Sequence, residues 1–526
     1  MQSRSLSLLA GLLGAVGTGL ASAHPQHSSV GTNNAETEYT PSDTNDFIHD
    51  LDPALGRLFP EYGIQHVLIY SWADDFYTGF GKNGSAGDPL LNENYNWTLT
   101  DKYIDFVTSN GAKASIQFSA LQGTNASVST PEIIGDVGFM ITDRYMNGAH
   151  GSGFHDALDL FDFYAESDLE DVATIEEAYE NSFAFFAGFA KGVARANSSA
   201  GVGAWGNNRV WPVPTNYSVP DPYVTRFWSD CKANNVPLKA ATYHFTNAQY
   251  SMDPYAVELV TDKFRSDILI PAGFADLPVW VTEFEPNPGA INPTTAAALS
   301  AYHDPSFMAS FTLGTTMYAQ DTENLQQTMP WPGFGYGGIG AGNQSFPAWF
   351  NKTADNATVL LNVAAAWKLQ ASLVLNTPDR LSLDGASSNG FAALAGCSEG
   401  MDEVQILLNN YQLDYDIPRQ IANGTPNGLL NGEQECFYTG NPLFYIPICQ
   451  TFPQATIRNN TATSYRLKVT ALPWSEHTKY DVVVQRVGDG DVHRTILKKQ
   501  GQGCQLDMTL RFPANAQDLV TIRKRL

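Results

Sequence analysis

Basic residues are scarce in this chain. Across 526 residues, 30 Lys+Arg face 54 Asp+Glu, a formal net charge of −24. Such an excess of carboxylates repels phosphate backbones and anionic headgroups, which argues against nucleic-acid and membrane-surface partners. Charge of either sign is sparse, 16% against 43% hydrophobic residues, so the chain buries a large core and is not a disordered polyelectrolyte. The five cysteines contain no Cys-x-x-Cys pair, which removes zinc-ribbon and thioredoxin-like readings. Beyond the first two dozen residues no apolar run approaches the roughly 18 residues of a membrane-spanning helix. His150-Gly151-Ser152-Gly153 lacks the Gly-x-Ser-x-Gly form of a nucleophile elbow. Asp489-Gly490-Asp491 lacks further ligands at calcium-loop spacing and reads as a hairpin turn.

The first residues carry an address. Arg4, the apolar stretch Leu6–Leu20 and Ala21-Ser22-Ala23 have the layout of a secretory signal peptide, which predicts cleavage after Ala23 and an extracellular chain. His24 would then begin an ordinary Ser/Asn/Thr-rich tail, with no second metal ligand nearby. Asn-x-Ser/Thr sequons at Asn83, Asn96, Asn125, Asn197, Asn216, Asn343, Asn351, Asn356, Asn423 and Asn459 agree with a secreted glycoprotein. The expected disulfides are Cys436 with Cys449 and Cys397 with Cys504, leaving Cys231 free; spacing alone does not fix that connectivity.

Short apolar strands then alternate with amphipathic helices. His66–Trp72 reads as a first strand, with others at Lys113–Ser119, Leu160–Ala165, Gly201–Ala204, Ala240–His244 and Pro278–Glu283. Helices are expected at Leu99–Ser109, Ile175–Ala196, Asp221–Asn234, Tyr255–Ile270 and Ala357–Leu373. Nearly continuous apolar strands separated by helices predict a (β/α)8 TIM barrel over residues 40–375, after a signal peptide at 1–23 and a flexible segment at 24–39. From 376 to 526 the pattern turns to period two with no substantial helix, as in Glu403-Val404-Gln405-Ile406-Leu407. That predicts an accessory antiparallel β-sandwich, interrupted by a Gly/Pro/Asn-rich insertion at 415–460.

Reactive groups of such barrels sit at the C-terminal ends of strands. Glu166, in Phe161-Asp162-Phe163-Tyr164-Ala165-Glu166, and Glu283, in Val279-Trp280-Val281-Thr282-Glu283, are both placed there, 117 residues apart. That spacing is three βα units of about 39 residues each, so Glu166 ends strand four and Glu283 strand seven. Two such carboxylates on one rim, roughly 5–5.5 Å apart, perform retaining glycoside hydrolysis and need no cofactor. Glu285 is a weaker nucleophile candidate because Pro286 ends the strand. His244 either lines the sugar site or is a structural hydrogen-bonder. Trp72, Trp205, Trp211, Trp331, Tyr243 and Phe245 either stack on sugar rings or pack the core.

Val281-Thr282-Glu283-Phe284 resembles the nucleophile motif of clan A glycoside hydrolases, and the run as a whole resembles family 39, the β-xylosidase and α-L-iduronidase family. The likeness runs from Asn94-Tyr95-Asn96-Trp97 and Asn110-Gly111-Ala112-Lys113 through Phe161–Leu169, Gly201–Ala204 and Thr242-Tyr243-His244-Phe245 to Leu408-Asn409-Asn410-Tyr411. It implies Glu166 as acid/base and Glu283 as nucleophile. Two departures stand out. Clan A members usually carry Asn before the acid/base, where this chain has Ala165, and the first strand ends Tyr70-Ser71-Trp72 where xylosidases tend to have Arg-x-His. That Asn donates to a free sugar 2-hydroxyl; Ala165 removes the donor and opens space beside the oxygen. A substituted 2-oxygen fits better, as in the β-1,2-arabinofuranobiose side chains that some fungal members release from arabinoxylan. A β-xylosidase, and a weakened barrel that only binds glycans, are the alternatives.

Overall fold

The computed structural model describes residues 8–11, 30–33, 51–72, 76–78, 87–119, 130–163, 175–207, 222–245, 254, 256–284, 304–320, 322–330, 333–336, 349–384, 391–412, 434–437, 448–451, 463–488 and 491–525. Eight parallel strands form one sheet in sequence order: β1 (Val30–Asn33), β2 (Ile64–Trp72), β3 (Lys113–Ser119), β4 (Leu158–Phe163), β5 (Gly201–Asn207), β6 (Ala240–Phe245), β7 (Val279–Phe284) and β8 (Leu325–Pro330). β1 and β8 lie against each other and close the barrel. The segment expected to be a flexible tail thus supplies the first strand. The barrel begins near residue 30, and His66–Trp72 belongs to the second strand. Four residues with Gly31 inside them are too short to show a period.

Ile175–Ala196 is helical over the expected span, and the helices at Thr98–Ser109 and Pro222–Ala233 lie close to it. The helix expected from Ala357 starts at Asn362, because Thr358–Leu360 pairs antiparallel with Phe350–Lys352. Two helices escaped the period, Pro131–Asn147 and Pro305–Ala319. The first is bounded by local chemistry: the Thr130 side chain accepts from the Ile133 N–H, Pro131 occupies the first turn, and Gly148 ends it at φ 74°. It meets Ile175–Ala196 at backbone distance: a Cβ on Gly192 would stand 1.8 Å from the Gly135 carbonyl oxygen, and one on Gly188 2.3 Å from that of Pro131.

Outward-facing residues of the strands, among them Val67, Ile116, Phe161, Val202, Tyr243 and Val281, join the helices in the main core. Inside the barrel Leu68, Leu160, Ala240, Trp280 and Met329 form a separate apolar layer. Beyond the helix Asn362–Asn376 the chain enters a six-stranded antiparallel sheet in which Glu403–Asn410 lies between Phe391–Cys397 and Gln517–Lys524. A four-stranded sheet packs against it, with Ser464–Val469 paired to Leu506–Arg511. Leu8–Gly11, within the stretch read as a leader, pairs with the other edge of Ser464–Val469. Gly488 pairs with Asp491, while Asp489-Gly490, read as a hairpin turn, lie outside the described residues.

Cys397 and Cys504 are free thiols, which corrects the expected bridge between them; Cys231 is free and buried, as expected. Cys436 and Cys449 face each other in register on paired strands. His150-Gly151-Ser152-Gly153 is a turn before β4, where Ser152 Oγ donates to the Arg144 carbonyl (2.6 Å) and Arg144 to that of His150 (2.9 Å).

Candidate active site

Glu283 is the centre of the site. Along β7 the inward positions begin with Trp280 and continue with Thr282, so strict alternation would send Glu283 outward among the helices. A bulge prevents this. On the β6 side Tyr243 pairs with Val281 and His244 with Glu283; on the β8 side Val281 pairs with Thr328 and Phe284 with Pro330. One extra residue is thereby inserted between Val281 and Phe284, the phase of the strand resets, and the carboxylate swings into the barrel. It is 7% exposed.

Among the described residues, two neighbours meet the carboxylate. Gln117 on β3 donates from Nε2 to Glu283 Oε1 (3.1 Å), and His244 Nδ1 on β6 lies 3.3 Å from Oε2. Gln117 Nε2 is also 3.1 Å from His244 Nε2. Asp162 on β4, fully buried, accepts from the Thr242 hydroxyl through Oδ1 (2.7 Å), while Oδ2 lies 3.9 Å from His244 Nε2. No guanidinium or ammonium is paired with Glu283 among the described residues. Burial therefore dominates and pushes its pKa up to about 8. Next to it in sequence, the Thr282 hydroxyl is buried with no hydrogen-bond partner among the described residues.

The other expected site residues divide three ways. His244 reaches Glu283. Tyr243, one position earlier, faces outward: its ring packs on Phe264 and its hydroxyl is 2.9 Å from Thr261 Oγ1. Tyr243 is core, and Phe245, buried in the same helix-facing layer, shares its phase; strand alternation allows neither to share the cavity with His244. Trp72 and Trp205 lie on β2 and β5, their side chains outside the described residues. Trp211, Trp331, Ala165, Glu166 and Glu285 lie outside them altogether; Phe163, three residues before Glu166, ends β4, the fourth strand of the barrel.

Gln117 and Asp162 were missed in the sequence. The signal was there: Ser115 and Gln117 alternate with Ala114, Ile116 and Phe118, and Asp162 stands between Phe161 and Phe163. A polar side chain at every second place of an otherwise apolar barrel strand marks the interior.

Among the sequons, Asn96, Asn351 and Asn356 are exposed. The Asn197 amide donates to Asn147 (2.8 Å), while its oxygen accepts from the Ser199 N–H. Asn83, Asn125, Asn216, Asn343, Asn423 and Asn459 lie outside the described residues.

A barrel closed by eight parallel strands, a sandwich behind it and a carboxylate at the mouth define an architecture shared with solved glycoside hydrolases. A glucosidase from Croceicoccus marinus matches over 100% of both chains with a TM-score of 0.69 and 18% identity. A GH39 enzyme from Xanthomonas axonopodis pv. citri matches with a TM-score of 0.59 at 13% identity, over 99% of this chain and 98% of that one. A bacterial orthologue of human α-L-iduronidase gives 0.59 at 12% identity, over 100% and 85%. At these identities the likeness establishes the fold. No family model and no curated protein sequence matches the chain.

Proposed function

We propose that this chain is a secreted retaining glycoside hydrolase that acts on plant hemicellulose and releases β-1,2-arabinofuranobiose or related side chains from arabinoxylan. The observation that carries the reading is the bulge that turns Glu283 into the mouth of the barrel at strand seven. Barrel enzymes place reacting groups on that rim, and the fold is shared with enzymes named as a glucosidase and a GH39 enzyme. Glu283 attacks the anomeric carbon while Glu166, three residues past β4, gives its proton to the departing oxygen. Water then displaces the glycosyl group from Glu283 as Glu166 takes a proton back. No cofactor enters this chemistry. The choice of a 2-O-linked sugar rests on Ala165.

The test is digestion of arabinoxylan, an arabinofuranobiosyl glycoside, and aryl xyloside and arabinofuranoside. Glu283→Gln is expected to lower turnover by at least about 10³-fold on every substrate. Glu166→Ala should harm poor leaving groups far more than activated aryl glycosides. Release of xylose in preference to the disaccharide would replace the reading with a β-xylosidase. Binding of arabinoxylan without any hydrolysis would replace it with a glycan-binding barrel.

A further inference from the structure

A carboxylate sealed from water and lacking a cation is a poor nucleophile unless hydrogen bonds hold it charged. The arrangement around Glu283 shows how it is held. Gln117 has one amide nitrogen with two protons, and that nitrogen is 3.1 Å from Glu283 Oε1 and 3.1 Å from His244 Nε2. With Glu283 ionised, as the nucleophile must be, the amide cannot be turned over, because its oxygen would then face the carboxylate oxygen. The imidazole therefore meets a donor at Nε2 and must present a lone pair there.

We infer that Gln117 is a positioning residue for the nucleophile: it donates to Glu283 directly and, by occupying His244 Nε2, fixes the imidazole in the tautomer whose Nδ1 proton goes to the second oxygen of Glu283. The inference rests on the reading of Glu283 as nucleophile. Glu283 Oε1 then receives the Gln117 N–H at 3.1 Å and Oε2 faces the His244 Nδ1 at 3.3 Å, with no guanidinium or ammonium beside them among the described residues. Among the described residues the titratable side chains facing His244 are Glu283 and Asp162. Asp162 works the other way: its free oxygen favours a proton on Nε2. It stands at 3.9 Å against 3.1 Å for Gln117, so the amide wins. Burial still raises the Glu283 pKa, and the two donors limit the rise. An imidazole held by a partner on its far nitrogen is the device that orients catalytic histidines generally, with an amide here in the place of a carboxylate.

The experiment joins nitrogen-15 NMR of the imidazoles, with His244 assigned by its loss in His244→Phe, to the pH profile of kcat/KM on an activated aryl glycoside. In the wild type His244 is expected to be neutral with its proton on Nδ1. Gln117→Met keeps the volume and removes both donations. It should move the proton to Nε2 or charge the ring, shift the acid limb of kcat/KM upward by about 1–2 pH units, and cost roughly 10- to 100-fold at pH 5. A variant that only disturbed packing would lower the melting temperature and leave tautomer and limb in place. Gln117→Glu, which alters one atom, sets a second carboxyl against Glu283; it should shift the limb in the same direction and carries the test if the Met variant does not fold. A wild-type His244 protonated on Nε2 or on both nitrogens overturns the inference and assigns the control to Asp162. So does an unmoved limb in the folded variants. If Glu283→Gln remains active, the nucleophile reading has failed, while the tautomer result still stands or falls by itself.

Discussion

Barrel and sandwich each bury a carboxylate, and they treat it in opposite ways. In the sandwich, Asp518 is gripped by Arg486 through two hydrogen bonds of 2.6 and 2.7 Å and by the Tyr465 hydroxyl at 3.0 Å. Arg486 also donates to the Arg511 carbonyl. In the barrel, Glu283 meets an amide and an imidazole and no cation among the described residues. Burial raises the pKa of both. Of the two, Asp518 is the one held by a permanent charge among the described residues, and its oxygens are taken up by Arg486 and Tyr465. The comparison separates a charge that specifies a fold from a charge left available for chemistry.

The contrast breaks most visibly in the sandwich. Asp518→Ala leaves Arg486 buried without its partner and is expected to cost about 3–5 kcal/mol in denaturant unfolding. Replacing both, Arg486→Met with Asp518→Leu, should recover most of that loss, because the desolvation of two charges disappears together. If the double variant is no better than the single one, Asp518 does more than balance Arg486.

In the barrel the sign reverses: removing the carboxylate should stabilise. An unfolded Glu releases its proton near 4.5, whereas in the folded site the proton is held up to about 8. Between those values the folded state keeps the extra proton on Glu283, so stability falls as pH rises. Glu283→Gln should match the wild type near pH 4 and gain steadily toward pH 8. The gain should reach on the order of 2–3 kcal/mol, with the two donors offsetting part of a shift worth about 1.4 kcal/mol per pH unit. Melting temperatures of both proteins across that range decide it; a constant difference would mean that Glu283 does not titrate there.

The smallest effect belongs to Thr282, beside Glu283. Its hydroxyl has no partner among the described residues, so Thr282→Val loses no hydrogen bond to them and should raise stability by up to about 1 kcal/mol. A loss of 2 kcal/mol would reveal a water bound to that hydroxyl.

How much of this was legible in the sequence depended on contrast. Ile175–Ala196 shows one apolar face and was read to the residue, whereas Pro305–Ala319 is buried on nearly every side and has no polar face to set the period; in Pro131–Asn147 the polar face of Glu132, Asp136, Asp143 and Asn147 is interrupted by Phe139, which blurs it. Glu283 was found through the strand-end rule, yet its aim was not, since a bulge adds a residue without changing the composition of the strand. Tyr243 was misplaced because a strand-end aromatic reads alike whether it faces sugar or helix. Gln117 acts through the nitrogen its amide turns to His244, a matter of geometry that residue type does not encode.

The two helices that meet at Gly135 and Gly192 bear on how this chain tolerates change. Most surface and loop positions drift freely over generations, but here the axes touch backbone to backbone, and even one methyl group must push them apart. The second of these helices follows β4, so the push would be transmitted toward the strand that leads to Glu166. Saturation mutagenesis should therefore show a cluster of forbidden positions on a helix pair at the outside of the barrel, and activity should be lost at some of them before the protein unfolds.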